Sequence, residues 1–177
     1  KQQMLSSGLY ETYTYSFTSP KVFDRLNLPA DHELRDVVVI SNPLGEDFSI
    51  MRTTTIPEML QVIRTNYSRK VDEGRFFEMS YVYRPVKGEL LPEEKRTLTI
   101  GLYGNADFYL LKGIVEQLLS QLNIQGADYS PVTDHPAFHP GKTAKLAIDG
   151  TMVGYLGEIH PEVADNFECP AKTYIAV

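Results

Sequence analysis

The feature that most constrains the fold is a pair of strand patterns followed by a long amphipathic helix. Residues 74–85, GRFFEMSYVYRP, alternate between two faces, and residues 97–103, TLTIGLY, follow after a polar loop, so the two predict an antiparallel pair. Residues 107–122 repeat apolar side chains at spacings of three and four, which predicts a helix lying across that sheet. Strand and helix patterns alternate along all 177 residues without a repeat or linker, which predicts one α+β domain.

The N-terminal third adds three local predictions. QQMLSSG is typical of a helix end, with Gly8 in the left-handed region. In ETYTYSF, residues 11–17, tyrosines and a phenylalanine alternate with hydroxyl residues, which predicts a strand whose aromatic face must be covered. DVVVIS, residues 36–41, predicts a second strand buried on both sides.

The segment TTTIPEMLQVIRTNY, residues 53–67, predicts a helix with clear start signals. Thr55 and Glu58 have the spacing of a capping box, and Pro57 occupies the first turn. An apolar stripe predicts that the helix is docked, and it consists of Ile56, Met59, Leu60, Ile63 and Tyr67. Farther along, the Asp149–Gly150 pair predicts a hairpin turn.

Composition and charge limit the function classes. The chain is 42% hydrophobic with one cysteine, Cys169, and no secretory or membrane-spanning run, so we interpret it as cytoplasmic without a disulfide. Its start in KQQML and its end in KTYIAV indicate a piece of a longer protein. A net charge of −6 disfavours general attraction to nucleic acid. Arg64, Arg69 and Lys70 remain candidate RNA-phosphate contacts, although they also suit the negative end of a helix dipole.

The histidine spacing in HPAFHPGK does not predict a metal site. His135 and His139 are four residues apart, but each precedes a proline, which excludes a regular helix with both imidazoles on one face. Pro140–Gly141 is typical of a type II turn, and His160 stands at a helix start where it could cap or pack. We therefore expect no bound metal.

No catalytic residue is evident from the sequence. Cys169 has no adjacent histidine, and phosphate-binding glycine loops are absent. Glu78 and Glu158 could pair in principle, but spacing alone does not bring them together. Three hypotheses stay open: an interaction module, an independent ATP-dependent ligase or hydrolase with a divergent site, and a stand-alone RNA-binding module, which the net charge disfavours.

Six blocks, in order, resemble the catalytic-like module of the bacterial phenylalanyl-tRNA synthetase beta chain. They are GLYETYTYSFTSP, ISNPLGEDFSIMRTTTIPEMLQVIRTN, RFFEMSYVYRP, DFYLLKGIVEQLL, HPGKTA and VGYLGEIHPEV. The resemblance implies that residues 1–177 form a single module with the class II synthetase fold, an antiparallel sheet flanked by helices. It further implies a non-catalytic module that assembles with the catalytic alpha chain in an (αβ)₂ enzyme. That enzyme charges tRNA with phenylalanine, using ATP and magnesium.

The resemblance also implies roles for particular residues. Active class II enzymes carry an R-x-E motif that grips ATP, and VYRPV offers Arg84 with Val86 in the glutamate place. The third motif would end in Glu-Arg, but GYLGEIHPEV has Glu158 without an arginine, so both charge arrangements are broken. The first motif is a helix feeding a strand at an oligomer interface. The candidate interface residues are Met4, Leu5, Tyr13 and Tyr15.

Overall fold

A computed structural model describes the whole chain, residues 1–177. Its nine strands are β1 Tyr10–Glu11, β2 Phe17–Thr18, β3 Ile50–Met51, β4 Gly74–Arg84, β5 Glu93–Tyr103, β6 Ala127–Pro131, β7 Phe138–Ile148, β8 Thr151–Ile159 and β9 Thr173–Ala176. Its five α-helices are α1 Gln2–Ser6, α2 Lys21–Arg25, α3 Ile56–Ser68, α4 Phe108–Gln121 and α5 Pro161–Asn166. Two short 3₁₀ turns span Glu33–Arg35 and Glu46–Phe48. None of the helices combines the length and apolar composition needed to cross a membrane.

The predicted antiparallel sheet with flanking helices is confirmed. Seven strands form one sheet in the order β1-β4-β5-β9-β8-β7-β6, while β2 and β3 form a separate small pair. The β4–β5 pair is continuous from Gly74 opposite Tyr103 to Arg84 opposite Glu93. Only β1 runs parallel to its neighbour, β4. The chain segment before β2 therefore lies along the open edge of the sheet.

Each face of the sheet supports its own apolar core. One core joins α2, α3 and α5 to the sheet, and the other joins α1 and α4 to the opposite face. On α3, Met59 and Ile63 are fully buried. A Cβ at Gly101 of β5 would lie 2.6 Å from Met59 Cγ, so the absence of a side chain there lets α3 lie close to the sheet. The predicted docking of this helix is confirmed.

Local signals at helix ends and turns are partly confirmed. Gly8 follows α1 with φ +79°, and the Asp149–Gly150 turn has φ values of 48° and 80° at its two residues. The predicted capping box on α3 is wrong, because Thr55 makes no side-chain cap bond and instead shares a hydrogen bond with Thr99. The Thr55 hydroxyl is thus bonded to the sheet instead of to the first turn of α3.

Two further local predictions are wrong. Residues 36–41 form no regular strand but only an isolated bridge between Val39 and Ile50, and Val39 is exposed. The segment pairs only with the edge of the small β2–β3 pair, so nothing buries both of its faces. Pro140–Gly141 makes no turn but lies within β7, where the register with β8 shifts between Phe138 and Thr143. This irregularity accommodates the proline inside the strand.

Candidate interaction surface

The predicted strand over residues 11–17 is wrong, because residues 12–16 form no strand between β1 and β2 and are attached to the fold by side-chain bonds instead of a continuous ladder. The aromatic segment, residues 10–17, keeps the predicted alternation but with its faces reversed. Tyr13 and Tyr15 are 77% and 73% exposed. Between and after them, Thr14 is half-buried and Thr18 is buried. The expectation that the aromatic face is covered is therefore wrong for this chain alone. The hydroxyl residues point inward, and the rings point to solvent.

A buried ion pair holds the inward face of the aromatic segment. Arg52 and Glu78 have side chains only 1% and 2% exposed, with Arg52 Nη2 3.4 Å from Glu78 Oε1. The Thr14 hydroxyl lies 2.9 and 2.8 Å from the two oxygens of Glu78, and Arg52 Nη1 donates to Thr14 Oγ1 at 2.8 Å. Charge-assisted hydrogen bonds of this kind offset the cost of burying both charges.

The same arginine is also bonded to the backbone of two segments. Arg52 Nε donates to the Tyr81 carbonyl at 2.9 Å, and Nη1 donates to the Tyr15 carbonyl at 3.2 Å. The Glu78 carboxylate in turn accepts the Thr14 backbone N–H at 3.3 Å. Thr14 is thereby bonded directly to β4, and the Tyr15 carbonyl is bonded to β4 through Arg52. The side chains of Tyr13 and Tyr15, which flank Thr14, face solvent.

The four predicted interface residues do not share one environment. Met4 is 1% exposed and belongs to the core beneath α1, whereas Leu5 is 48% exposed. The side chain of Met4 is thus unavailable to a partner in this conformation. Leu5, Tyr13 and Tyr15 lie at the surface.

Other exposed apolar side chains extend this region. We define the aromatic surface as the exposed residues Tyr13, Tyr15, Phe17 and Phe48, which line one depression; Leu5 and Tyr10 are exposed in the segment that precedes them. Phe48 meets Tyr15 edge to face, with ring centroids 5.9 Å apart. The sequence alone does not indicate Phe48, because a single phenylalanine in a loop has no periodicity to mark it. Exposed apolar groups collected in one region are typical of an interaction site.

The candidate ATP-motif positions lie at the far end of β4. Arg84 is the last residue of that strand and half-exposed, and its nearest carboxylate partner is Glu33, 3.9 Å away. Val86 is exposed in the loop that follows. The place of the motif's glutamate therefore offers no charge or hydrogen-bonding group.

Glu78 and Glu158 do not form a carboxylate pair. They lie on β4 and β8, which β5 and β9 separate. Glu158 is bound by Lys142 Nζ at 2.9 and 2.8 Å to its two oxygens. Burial, followed by the charge of Glu158, raises the pKa of Tyr174 to about 12. Glu78 is thus paired with Arg52, and Glu158 is paired with Lys142.

The histidines act in local structure, and no cluster of three or more His, Cys, Asp or Glu side chains could hold a metal. His160 caps α5 by accepting the Glu162 N–H on Nδ1 at 3.3 Å, which confirms one of the two roles considered for it. His139 accepts the Gly141 N–H at 3.0 Å. His135 accepts the Ala137 N–H at 3.2 Å, and burial lowers its pKa to about 4.

The basic residues near the end of α3 are not equivalent. Arg64 donates from Nε and Nη2 to Glu168 at 3.1 and 2.8 Å. Arg69 follows the last helical residue, and Lys70 has a left-handed backbone with φ 64°. Arg69 and Lys70 are exposed. Arg64 thus has an exposed ion-pair partner within the chain, whereas Arg69 and Lys70 form no ion pair, and all three stay predictions for a phosphate contact.

Cys169 is buried and unreactive. Its Sγ lies 3.3 Å from the Leu60 carbonyl, and burial raises the pKa of the thiol to about 12. A thiol that stays protonated at neutral pH is a poor nucleophile.

Comparison with known proteins identifies the family of this chain. A family model described as "Phenylalanyl tRNA synthetase beta chain CLM domain" matches residues 1–176. The Phenylalanine--tRNA ligase beta subunits of Clostridium tetani and Clostridium acetobutylicum are 51% and 47% identical to this chain, each over 98% of its length. The chain spans 22% of the length of each of these relatives.

The fold matches a solved synthetase of low sequence identity. PylSc of Desulfitobacterium hafniense, a pyrrolysyl tRNA synthetase, superposes with a TM-score of 0.76 at 13% identity, covering 99% of this chain and 61% of that one. The likeness shows that the sheet and its helices have the class II synthetase fold. With the family match over nearly its whole length, the chain belongs to the phenylalanyl-tRNA synthetase beta chain CLM domain family.

Proposed function

We propose that this domain is a non-catalytic, class II synthetase-like module that assembles with the catalytic alpha chain of a phenylalanine–tRNA ligase. The complete enzyme would be a cytoplasmic (αβ)₂ assembly that uses ATP and magnesium to charge tRNA with phenylalanine. The tRNA would be engaged by the whole enzyme. The relatives are named as beta subunits of phenylalanine–tRNA ligase, which supports this assignment.

The single observation that carries the proposal is the aromatic surface. Its rings are exposed although buried bonds to Arg52 and Glu78 hold the backbone beneath them in place. A rigid, exposed aromatic surface loses little conformational entropy on docking, and aromatic residues are enriched at protein interfaces. Val86, in the place of the glutamate of the R-x-E motif that begins at Arg84, is consistent with assembly as the role of this domain.

Substitutions at Met4 and Leu5 separate assembly from folding. In the full-length beta chain, Leu5→Ser should weaken binding of the alpha chain about tenfold, because the exposed leucine is lost from the interface, with little change in Tm. Met4→Ser should instead lower the free energy of unfolding by about 2–5 kcal/mol, because it removes a buried side chain. Sedimentation of mixed chains and thermal melts measure the two effects.

Leu122→Ser is the matched control, since Leu122 is exposed after α4 and outside the aromatic surface. It should leave both assembly and Tm unchanged. Normal assembly by the Leu5→Ser variant would remove Leu5 from the interface.

A further inference from the structure

A groove of about 750 Å³ opens beside the aromatic surface. One wall is the chain from Tyr13 to Ser19, and the other is the outward side of α3, including Gln61 and Thr65. Its volume lies within the range of specific binding clefts, roughly 300–1,000 Å³. Tyr15, Phe17 and Phe48 belong both to its lining and to the aromatic surface. The groove and that surface are therefore continuous.

Glu58 lines the groove from the first turn of α3 and is only 9% exposed. Its Oε2 is buried without a hydrogen-bond partner. Arg52 is the cation that favours its ionised form, but Arg52 is already bonded to Glu78, whose charge opposes it. The positive charge of Arg52 thus acts on two buried carboxyl groups, those of Glu58 and Glu78.

The charges around the groove balance one another. Lys21 and Arg25 line it from α2, Asp47 lines it from the 3₁₀ turn at Glu46–Phe48, and Lys21 Nζ is paired with Glu46 at 3.0 Å. Arg52 and Glu78 act on Glu58 from beneath, so three cations are matched by three carboxylates when Glu58 is neutral. Burial raises the pKa of Glu58 to about 7, against the opposing effects of Arg52 and the Thr18 hydroxyl. A lining with balanced charge and apolar rings suits an uncharged protein segment better than a charged small molecule.

We propose that this groove receives an uncharged segment of the alpha chain and that Glu58 is held in its neutral form when the groove is filled. This inference rests on the proposed function and deepens it, because it adds a recess to the exposed rings. Filling the groove removes the solvent that remains beside the largely buried Glu58 side chain, which disfavours its charged form further. Assembly above neutral pH then takes up a proton.

A steric variant tests whether the groove is occupied. Thr65→Trp places a large ring at the groove, and Ser68→Trp is its control on the same helix, outside the groove. Both hydroxyls donate to a helix carbonyl, at 2.8 and 2.9 Å, so the local loss is matched. In the full-length beta chain, Thr65→Trp should raise the Kd for the alpha chain at least about tenfold, a typical loss for one blocked interface position. Ser68→Trp should leave it within about twofold.

Glu58→Gln, a neutral isostere, tests whether Glu58 takes up a proton on assembly. Because the raised pKa favours the protonated form, the Glu58 contribution to assembly is fully present well below pH 7 and is lost as pH rises above it. The wild-type Kd should therefore increase by up to about tenfold per pH unit between pH 7.5 and 8.5, the limit for one proton. Glu58→Gln should remove most of that slope.

The two tests separate this inference from the proposed function. If Thr65→Trp binds the alpha chain like wild type, the alpha chain does not occupy the groove. If Glu58→Gln keeps the wild-type pH dependence of the Kd, Glu58 does not take up a proton on assembly. If the alpha chain binds wild type while either result is obtained, assembly stands and the inference fails. If wild type does not bind the alpha chain, both fail.

Discussion

Arg52→Ala should lower the free energy of unfolding by about 3–5 kcal/mol, because it leaves the buried carboxylate of Glu78 without its cation. Arg52 also donates to backbone carbonyls of Tyr15 and Tyr81, and both would lose that bond. The aromatic segment would consequently lose its attachment to β4. Urea denaturation of residues 1–177 measures the effect through the transition midpoint and slope.

A double variant and a surface control make this result specific. Arg52→Met combined with Glu78→Leu should recover much of the loss, since a buried ion pair is often replaceable by apolar side chains. Arg84→Ala should change stability by less than about 0.5 kcal/mol, because Arg84 is half-exposed with a distant partner. A loss below 1 kcal/mol in Arg52→Ala would contradict the structural role given to the pair.

Replacing Tyr13 and Tyr15 together by serine should raise the Kd for the alpha chain by roughly 30-fold to 1,000-fold. Aromatic residues that become buried at the centre of an interface commonly contribute 2 kcal/mol or more each, and the sum is not additive. Because both rings are exposed in the chain alone, the thermal transition should shift by only a few degrees. Titration of the alpha chain into the full-length beta chain measures the affinity.

Tyr109→Ser provides the matched control, since Tyr109 is exposed on α4, away from the aromatic surface. It should assemble like wild type. Equal affinities for the double variant and the control would show that the two tyrosines lie outside the interface.

The aromatic segment shows what period-2 alternation can and cannot predict. The pattern in residues 11–17 correctly separated two faces, but it could not tell which face is buried. That choice depends on Arg52 and Glu78, which lie 38 and 64 residues from Thr14 along the chain. Long-range hydrogen bonding drew the hydroxyl residues inward, against the rule that apolar side chains are buried.

Elements governed by their own pattern were predictable. The β4–β5 pair, the docked face of α3 and the Asp149–Gly150 turn all follow from residues close together in sequence. Predictions failed where a tertiary contact competed with a local one. Thr55 bonds to Thr99 instead of capping α3, and residues 36–41 lie where no second layer covers them.

In the candidate site, too, the features that depend on the tertiary fold could not be predicted from the sequence. Exposure of Leu5 and burial of Met4 could not be distinguished in a five-residue helix, because both are apolar and adjacent. Phe48 joins the aromatic surface only through the fold. The groove beside α3 is likewise formed by segments distant in sequence, so no motif could have indicated it.

The most direct test of assembly through the aromatic surface is hydrogen exchange of the full-length beta chain with and without the alpha chain. The backbone N–H groups of Tyr13 and Tyr15 donate to no acceptor within the chain, so they should exchange rapidly in the beta chain alone. On addition of the alpha chain, peptides covering residues 10–17 should become at least about tenfold slower to exchange, while those covering the edge strand β6 should not change. Protection of β6 with unchanged exchange in residues 10–17 would contradict the proposed interface.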